Sequence, residues 1–200
     1  MSIDYYFDYM ASTPIDPLVS QVMQEYADDV LLHANPSADH PAGKKAKELM
    51  LTTQATMKKV INAHNDDKLI FTSGATEASN LALRGAASQY KRNGKHLITT
   101  QTEHQATLST LKSLEEEGFN ITLLPVKKDG LLDLVLLEST IREDTIIFSI
   151  AGVNNEIGVV QDLRAISAIC KKHGVLLHVD AAQCIGKVRI DLKETPIDSI

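Results

Sequence analysis

The sequence predicts an α/β fold: a mostly parallel sheet with helices on both faces. Five short apolar runs recur along the chain, and each reads as a buried strand. Segments with apolar residues three and four positions apart lie between the runs, as in amphipathic helices. Gly94, Gly118 and Gly174 each follow such a segment and lead into the next run. Alternation of strands and helices is typical of parallel α/β sheets.

The predicted elements follow one another closely. The strands are Leu69–Thr72, Leu97–Thr100, Ile121–Leu124, Thr145–Ile150 and Val175–Val179. The helices between and after them are Glu77–Lys91, Ala106–Glu117, Leu134–Ile141 and Asp162–His173. Two earlier helices, Pro17–Tyr26 and Lys44–Ile61, are joined by a loop, residues 33–41, that two prolines keep out of helix. We find no repeat or linker, so residues 1–200 are expected to form one domain.

Composition narrows the classes of function. The chain of 200 residues has a net charge of -6, which provides no basic field for nucleic acid or anionic lipid. No stretch approaches the roughly 18 apolar residues that a membrane helix requires, and the N-terminus lacks the pattern of a secretory signal. Two cysteines, Cys170 and Cys184, make a disulfide framework implausible. We therefore expect a cytoplasmic protein that binds neither nucleic acid nor membrane directly.

In parallel α/β sheets, ligands bind beyond the carboxyl ends of the strands. After the first predicted strand, the turn Ser73–Glu77 runs straight into a helix. Its glycine and small residues would offer backbone N–H groups to an anion such as phosphate, and Thr76 would add a hydroxyl. The alternative is a simple helix cap without a ligand.

His104 follows the second predicted strand, at the same edge of the sheet. Its imidazole would stack on a flat ring or move protons, or it is a solvated loop residue with no such role. The other histidines show no spacing with Cys, Asp or Glu that indicates zinc, so no metal site is expected.

Two more polar groups follow the fourth and fifth predicted strands. The amides of Asn154 and Asn155 would bind a ring hydroxyl or a carboxylate, or would only close an Asx turn. Asp180 ends an apolar strand, where an unpaired carboxylate costs several kcal/mol. A protonated pyridine nitrogen or a structural lysine or arginine would provide its partner. The convergence of four such groups at one sheet edge favours a cofactor site.

These motifs resemble the cysteine desulfurases of the NifS/IscS type, which are class V aminotransferase-like enzymes of fold-type I that use pyridoxal 5'-phosphate (PLP). The resemblance runs along essentially the whole chain. The segments that carry it are Phe7–Tyr9 with Thr13–Pro14, Asn35–Ser37, Ser73–Ala78 with Asn80–Leu81, Thr102–His104, Val153–Val159 and His178–Gln183.

The resemblance implies a role for each candidate residue. Ala75 and Thr76 would bind the PLP phosphate. His104 would stack on the pyridine ring and is the candidate catalytic residue. Asp180 would pair with the ring nitrogen.

Two further contacts and the reaction are also implied by the resemblance. Asn155 would contact the ring oxygen, and Gln183 would face the substrate side. The family converts L-cysteine to L-alanine and carries the sulfur as an enzyme-bound persulfide. Implied partners are a second copy of the chain in a homodimer and iron–sulfur scaffold or sulfur-acceptor proteins, including those of tRNA thiolation. The alternatives are a selenocysteine lyase, a small-molecule aminotransferase or a noncatalytic remnant that binds a partner.

The resemblance also implies parts that these residues do not contain. Relatives continue past Ile200 into the segment with the Schiff-base lysine, a loop with the sulfur-accepting cysteine and a small C-terminal domain. Residues 1–200 are therefore expected to be an incomplete PLP-binding large domain, inactive alone. Neither Cys170 nor Cys184 matches the catalytic position, and both are expected to pack in the interior.

Overall fold

A computed structural model describes residues 6–200 of the chain. These residues form two compact units, one reaching to Leu69 and one running from Ile70 to Ile200. No helix within the described residues is long and apolar enough to cross a membrane.

The first unit contains two helices, α1 (Pro17–Asp28) and α2 (Pro41–Val60), with a 3-10 turn at Val30–His33. Both predicted helices are confirmed. Each begins at a proline, whose missing N–H is not needed in the first turn, and the preceding side chain caps the helix. Asp16 accepts from Leu18 N–H at 2.8 Å, and His40 Nδ1 accepts from Gly43 N–H at 3.2 Å.

The second unit contains a four-stranded sheet, which has the order β2-β1-β3-β4 and parallel pairing throughout. The strands are β1 (His96–Thr100), β2 (Asn120–Leu124), β3 (Thr145–Ala151) and β4 (Leu176–Asp180). Beside β4, Val179 N–H donates to Ser199 O at 2.9 Å in a parallel bridge. The last residues of the chain therefore run along that edge of the sheet.

Four helices accompany the sheet: α3 (Ala75–Tyr90), α4 (Gln105–Glu116), α5 (Leu134–Thr140) and α6 (Leu163–His173). Asp133 and Asp162 cap α5 and α6 through their side chains. Gly174 ends α6 in the left-handed conformation, with φ of 66°. All four helices predicted for this region are confirmed to within two residues.

One predicted strand is wrong. Residues 69–72 adopt no regular structure, and the side chains of Ile70 and Phe71 are 64% and 54% exposed. A strand must exchange backbone hydrogen bonds with a neighbour, and no segment of residues 6–200 pairs with this run. Its apolar composition alone does not make it a strand.

The core of the second unit lies against the central strands. Every residue of β1 is buried, as are the first six of β3, so both faces of these strands are covered. Leu83 of α3 and Leu111 of α4 pack in one cluster with Leu97 and Ile147 of the sheet. The predicted α/β architecture with a mostly parallel, buried sheet is therefore confirmed.

Candidate active site

The loops that follow β1, β3 and β4 leave the sheet at the same edge, because the strands are parallel. Hydrogen bonds join these loops to one another. Gly152 N–H, after β3, donates to Asp180 O of β4 at 2.9 Å. Asn154 Nδ2 donates to Thr102 O, after β1, at 2.8 Å. The three loops therefore form one hydrogen-bonded platform.

Asn154 and Asn155 differ in what they do on this platform. Asn154 is buried, and its Oδ1 accepts from Glu156 N–H at 2.9 Å and Ile157 N–H at 3.0 Å. It is therefore the residue that closes an Asx turn. Asn155 is half-buried, and its Nδ2 donates to Glu156 Oε1 at 2.8 Å. The turn carries Asn155 at the carboxyl edge of the sheet, as the sequence predicts.

Asp180 ends β4 and is half-buried. Its Oδ1 accepts from Ala182 N–H at 3.0 Å, which fixes the carboxylate beyond the strand. Within residues 6–200, no lysine, arginine or histidine forms an ion pair with it. The structural salt bridge that would have explained this acid without a ligand is thus not found in the described chain.

The N-terminus of α3 has no side-chain cap. Its N-cap residue is Gly74, with φ of 159°, and a Cβ built there would meet nothing within 4 Å. Ser73 does not cap the helix, because its hydroxyl and N–H both donate to Glu77 Oε2, at 2.6 and 2.7 Å. The Ser73 hydroxyl also lowers the pKa of Glu77.

The first-turn N–H groups at Ala75 and Thr76 consequently receive no side-chain cap from the described residues. A helix N-terminus of this kind suits an anion such as a phosphate. Helix α3 packs against β3 and β4, which belong to the same unit. The turn is therefore capped by the backbone of Gly74 alone, and both the anion-binding and the plain-cap interpretations of it stay open.

His104 is the N-cap residue of α4 and is exposed. Its Nδ1 accepts from Ala106 N–H at 3.1 Å. The neutral ring then carries its proton on Nε2, and its orientation relative to α4 is fixed. An exposed and oriented imidazole at this edge suits a stacking role on a flat ring.

Gln183 lies three residues past β4 and is half-buried. Its Oε1 accepts from Lys187 Nζ at 2.6 Å. The structure thus places His104, Asn155 and Gln183 on the loops that leave one edge of the sheet. Asp180 is the last residue of β4 at the same edge. Ala75 and Thr76 lie at the start of a helix packed on that sheet.

Sequence reasoning missed Glu103 as a site residue. It is only 8% exposed, directly after β1, and its Oε1 accepts from Thr100 Oγ1 at 2.6 Å. The pKa of this carboxyl is raised from its usual 4.5 to about 7, mainly by burial and to a smaller extent by the charge of Asp180, against the lowering effect of hydrogen bonds from the Thr100 hydroxyl and the Ala151 backbone. The only signal in the sequence was its position three residues beyond an apolar strand, which does not distinguish a buried acid from a solvated one.

The two cysteines are buried, as predicted. Burial raises the pKa of the Cys170 thiol to about 12 and that of Cys184 to about 11. Cys184 lies behind the platform, where a Cβ built on Gly152 would meet its Sγ at 2.6 Å. Both thiols are therefore protonated packing groups. No group of three or more His, Cys, Asp or Glu within residues 6–200 is arranged to hold a metal ion.

Comparison with known proteins agrees with this geometry. Residues 5–200 match the model of the aminotransferase class-V family. The chain belongs to the class-V aminotransferase family. Enzymes of this family depend on PLP. An uncapped helix N-terminus for a phosphate, an oriented imidazole and a carboxylate without a cation are what a class-V site needs, so the residues present fit this cofactor.

Individual class-V relatives are similar over nearly the whole chain. It is 45% identical over 99% of its length to cysteine desulfurase IscS of Pectobacterium atrosepticum, of which it covers 49%. It is 46% identical over 100% of its length to cysteine desulfurase IscS of Vibrio cholerae serotype O1, of which it covers 50%. The chain thus spans about half the length of the curated relatives it matches.

Solved structures confirm the fold. The structure titled SspA in complex with cysteine superposes with a TM-score of 0.90 at 37% identity, covering 96% of this chain and 55% of the other. A NifS-like protein superposes with a TM-score of 0.91 at 34% identity, covering 97% of this chain and 53% of the other.

Proposed function

We propose that the chain forms the cofactor-binding part of a PLP-dependent cysteine desulfurase. The observation that carries the proposal is Asp180, a half-buried carboxylate at the end of β4 that forms no ion pair within the described residues. A protonated pyridine nitrogen is the cation that PLP brings to such a carboxylate, and when bound the ring acts as an electron sink for amino-acid chemistry.

The other residues take complementary roles in this proposal. The backbone N–H groups of Ala75 and Thr76, with the Thr76 hydroxyl, bind the phosphate at the N-terminus of α3. His104 covers one face of the ring and, with its proton on Nε2, is placed to move a proton there.

Asn155 and Gln183 complete the proposed contacts. Asn155 reaches the ring oxygen from the Asx turn that Asn154 closes. Gln183 faces the substrate, from a position that its bond to Lys187 stabilises. Residues 1–200 together would be one large PLP-binding domain.

L-cysteine is the proposed substrate and L-alanine the product. The names of the relatives support this assignment, since two are cysteine desulfurases and one solved structure holds cysteine. The sulfur passes to iron–sulfur scaffold proteins or to acceptors that serve tRNA thiolation. The proposed setting is a homodimer in the cytoplasm.

The 200 residues by themselves are proposed not to turn over cysteine. Sulfur transfer needs an accessible thiolate, and burial keeps both thiols of the chain protonated. The nucleophilic cysteine would have to come from residues other than these.

The experiment is a PLP titration of the purified chain, followed by the change in cofactor absorbance. Asp180→Asn should weaken PLP binding about tenfold or more, because the amide offers the ring nitrogen no negative charge. Asp66→Asn, at an exposed aspartate of the first unit, is the matched control and should bind as the parent does. Equal affinities for the parent and Asp180→Asn would contradict the proposal.

A second assay addresses the substrate. The gene's full-length product should release alanine and sulfide from L-cysteine under reductant. Transfer of an amino group to a keto acid instead would assign the chain to an aminotransferase.

A further inference from the structure

Glu103 lies in an environment that the proposed PLP contacts do not explain. It sits between Thr102, whose carbonyl accepts from Asn154 Nδ2, and His104, the N-cap of α4. Its Oε1 accepts from the Thr100 hydroxyl at 2.6 Å. Its Oε2 is buried without a hydrogen-bond partner within the described residues. The carboxyl is thus bonded to the end of β1 through Thr100 and also interacts with the backbone of Ala151 at the end of β3.

Several titratable groups belong to the elements around Glu103. Asp180 at the end of β4 interacts with it electrostatically and disfavours its ionisation. His178 and Cys184 flank Asp180 along the chain, and burial holds both of them uncharged near neutral pH. His104 is the next residue on the same loop. No lysine or arginine forms an ion pair with Glu103 within residues 6–200.

We propose that Glu103 is a positioning residue, whose neutral carboxylic acid packs the β1–α4 loop against the platform and so holds His104 in place. One part of the inference rests on the proposed function, namely that His104 covers the PLP ring. Glu103 itself touches no reacting atom and acts through His104.

The neutral form is favoured because burial outweighs the hydrogen bonds from the Thr100 hydroxyl and the Ala151 backbone that stabilise the ionised form. A carboxylate formed here loses most of its hydration and places a second negative charge beside Asp180. Hydration of that charge is regained only if the loop moves toward solvent. The loop carries His104 with it, so the ring orientation fixed by Ala106 N–H is lost.

The pH dependence follows directly. Burial raises the pKa of Glu103 to about 7, so the neutral form dominates below neutrality and the ionised form above it. The β1–α4 loop is therefore ordered at pH 6 and loosened at pH 8. Glutamine at this position has nearly the same size, accepts from Thr100 and carries no charge at either pH.

The test compares the parent chain with Glu103→Gln by hydrogen exchange of the Ala106 amide, which donates to His104 Nδ1. After correction for intrinsic exchange, protection in the parent should fall by at least about threefold between pH 6 and pH 8. Protection in Glu103→Gln should stay constant. Glu115→Gln, at an exposed glutamate of α4, is the control and should follow the parent.

A second variant keeps the inference testable if Glu103→Gln does not fold. The Thr100 hydroxyl lowers the pKa of Glu103, so Thr100→Val should move the midpoint of the pH-dependent loss of protection to higher pH. An unchanged midpoint, or the same pH profile in Glu103→Gln as in the parent, would overturn the proposal.

PLP titration at both pH values separates this inference from the proposed function. The ratio of the parent's PLP dissociation constant to that of Glu103→Gln should increase from pH 6 to pH 8 by the same factor as protection falls. If the parent binds no PLP, the proposed function fails, while the exchange profile still decides the role of Glu103.

Discussion

The two ends of the sheet treat buried polar side chains differently. At the amino end of β1, His96 is buried and both ring nitrogens are bonded, Nδ1 to Thr145 Oγ1 and Nε2 to Thr122 Oγ1, each at 2.8 Å. At the carboxyl end, Glu103 is also buried but has one oxygen without a partner within the described chain. Both ring nitrogens of His96 are therefore satisfied, whereas Glu103, beside the proposed PLP site, keeps one buried carboxyl oxygen unsatisfied at a cost in free energy.

The largest expected effect on stability comes from removing the hydrogen bonds of His96 at the amino end of β1. His96→Ala should lower the free energy of unfolding by about 3 kcal/mol, because it opens a cavity and removes the hydrogen bonds to Thr145 and Thr122. Denaturant unfolding at pH 7.5 measures the loss. His64→Ala, at an exposed histidine of the first unit, should cost little. A comparable loss in both variants would remove the distinction between a bonded core histidine and a surface one.

The next effect distinguishes Glu103 from His96, because their contributions to the free energy of unfolding should change with pH in opposite directions. Glu103 has a folded-state pKa raised from 4.5 to about 7, so the folded chain holds the proton more tightly and the parent loses stability as pH rises across this range. Glu103→Gln should therefore gain about 3 kcal/mol over the parent between pH 4.5 and pH 8. Urea unfolding at several pH values gives the difference.

His96 should show the opposite sign. Burial lowers its folded-state pKa below 6.5, so the stability it provides is present above pH 6.5 and is lost as pH falls below that value toward the folded-state pKa.

Glu115→Gln is the control for Glu103→Gln, and its stability should follow that of the parent at every pH. A gain in Glu103→Gln that is the same at pH 4.5 and pH 8 would contradict an ionisable origin.

The smallest effect tests the contrast between capped and uncapped helices. Asp162 caps α6 by accepting from Ala165 N–H at 3.0 Å, whereas α3 begins at Gly74 without a side-chain cap. Asp162→Ala should cost about 1 kcal/mol, and Asp162→Asn should recover most of it because asparagine also caps. Thermal unfolding distinguishes the two. If Asn recovers nothing, the cap is not what Asp162 contributes.

Periodicity predicted most of the fold, and its one error has a physical cause. Four strands and six helices lie where the pattern places them, because burial on a sheet or a helix face imposes the spacing directly. The run 69–72 has the composition of a strand but not the neighbour that a strand needs. Strand pairing depends on two segments of the chain, so the local pattern of one segment does not predict it.

The candidate site was predicted in part, for a related reason. The rule that ligands bind beyond strand ends selected His104, Asn155 and Asp180. It did not separate Asn154, which closes the turn, from Asn155, which the turn carries. Nor did it select Glu103, because the chain sequence gives the position of an acid but neither its burial nor its neighbours.

The contact between Gly152 and Cys184 links two positions that lie more than thirty residues apart in the chain. A single added methyl at position 152 would meet the sulfur at 2.6 Å, so the two side chains share one volume. Enlargement at position 152 therefore requires a smaller side chain at 184 and small shifts of Val179 and Leu163, which the new Cβ would meet at 3.2 and 3.3 Å. Substitutions at positions 152 and 184 are thus coupled through the space that the two residues share.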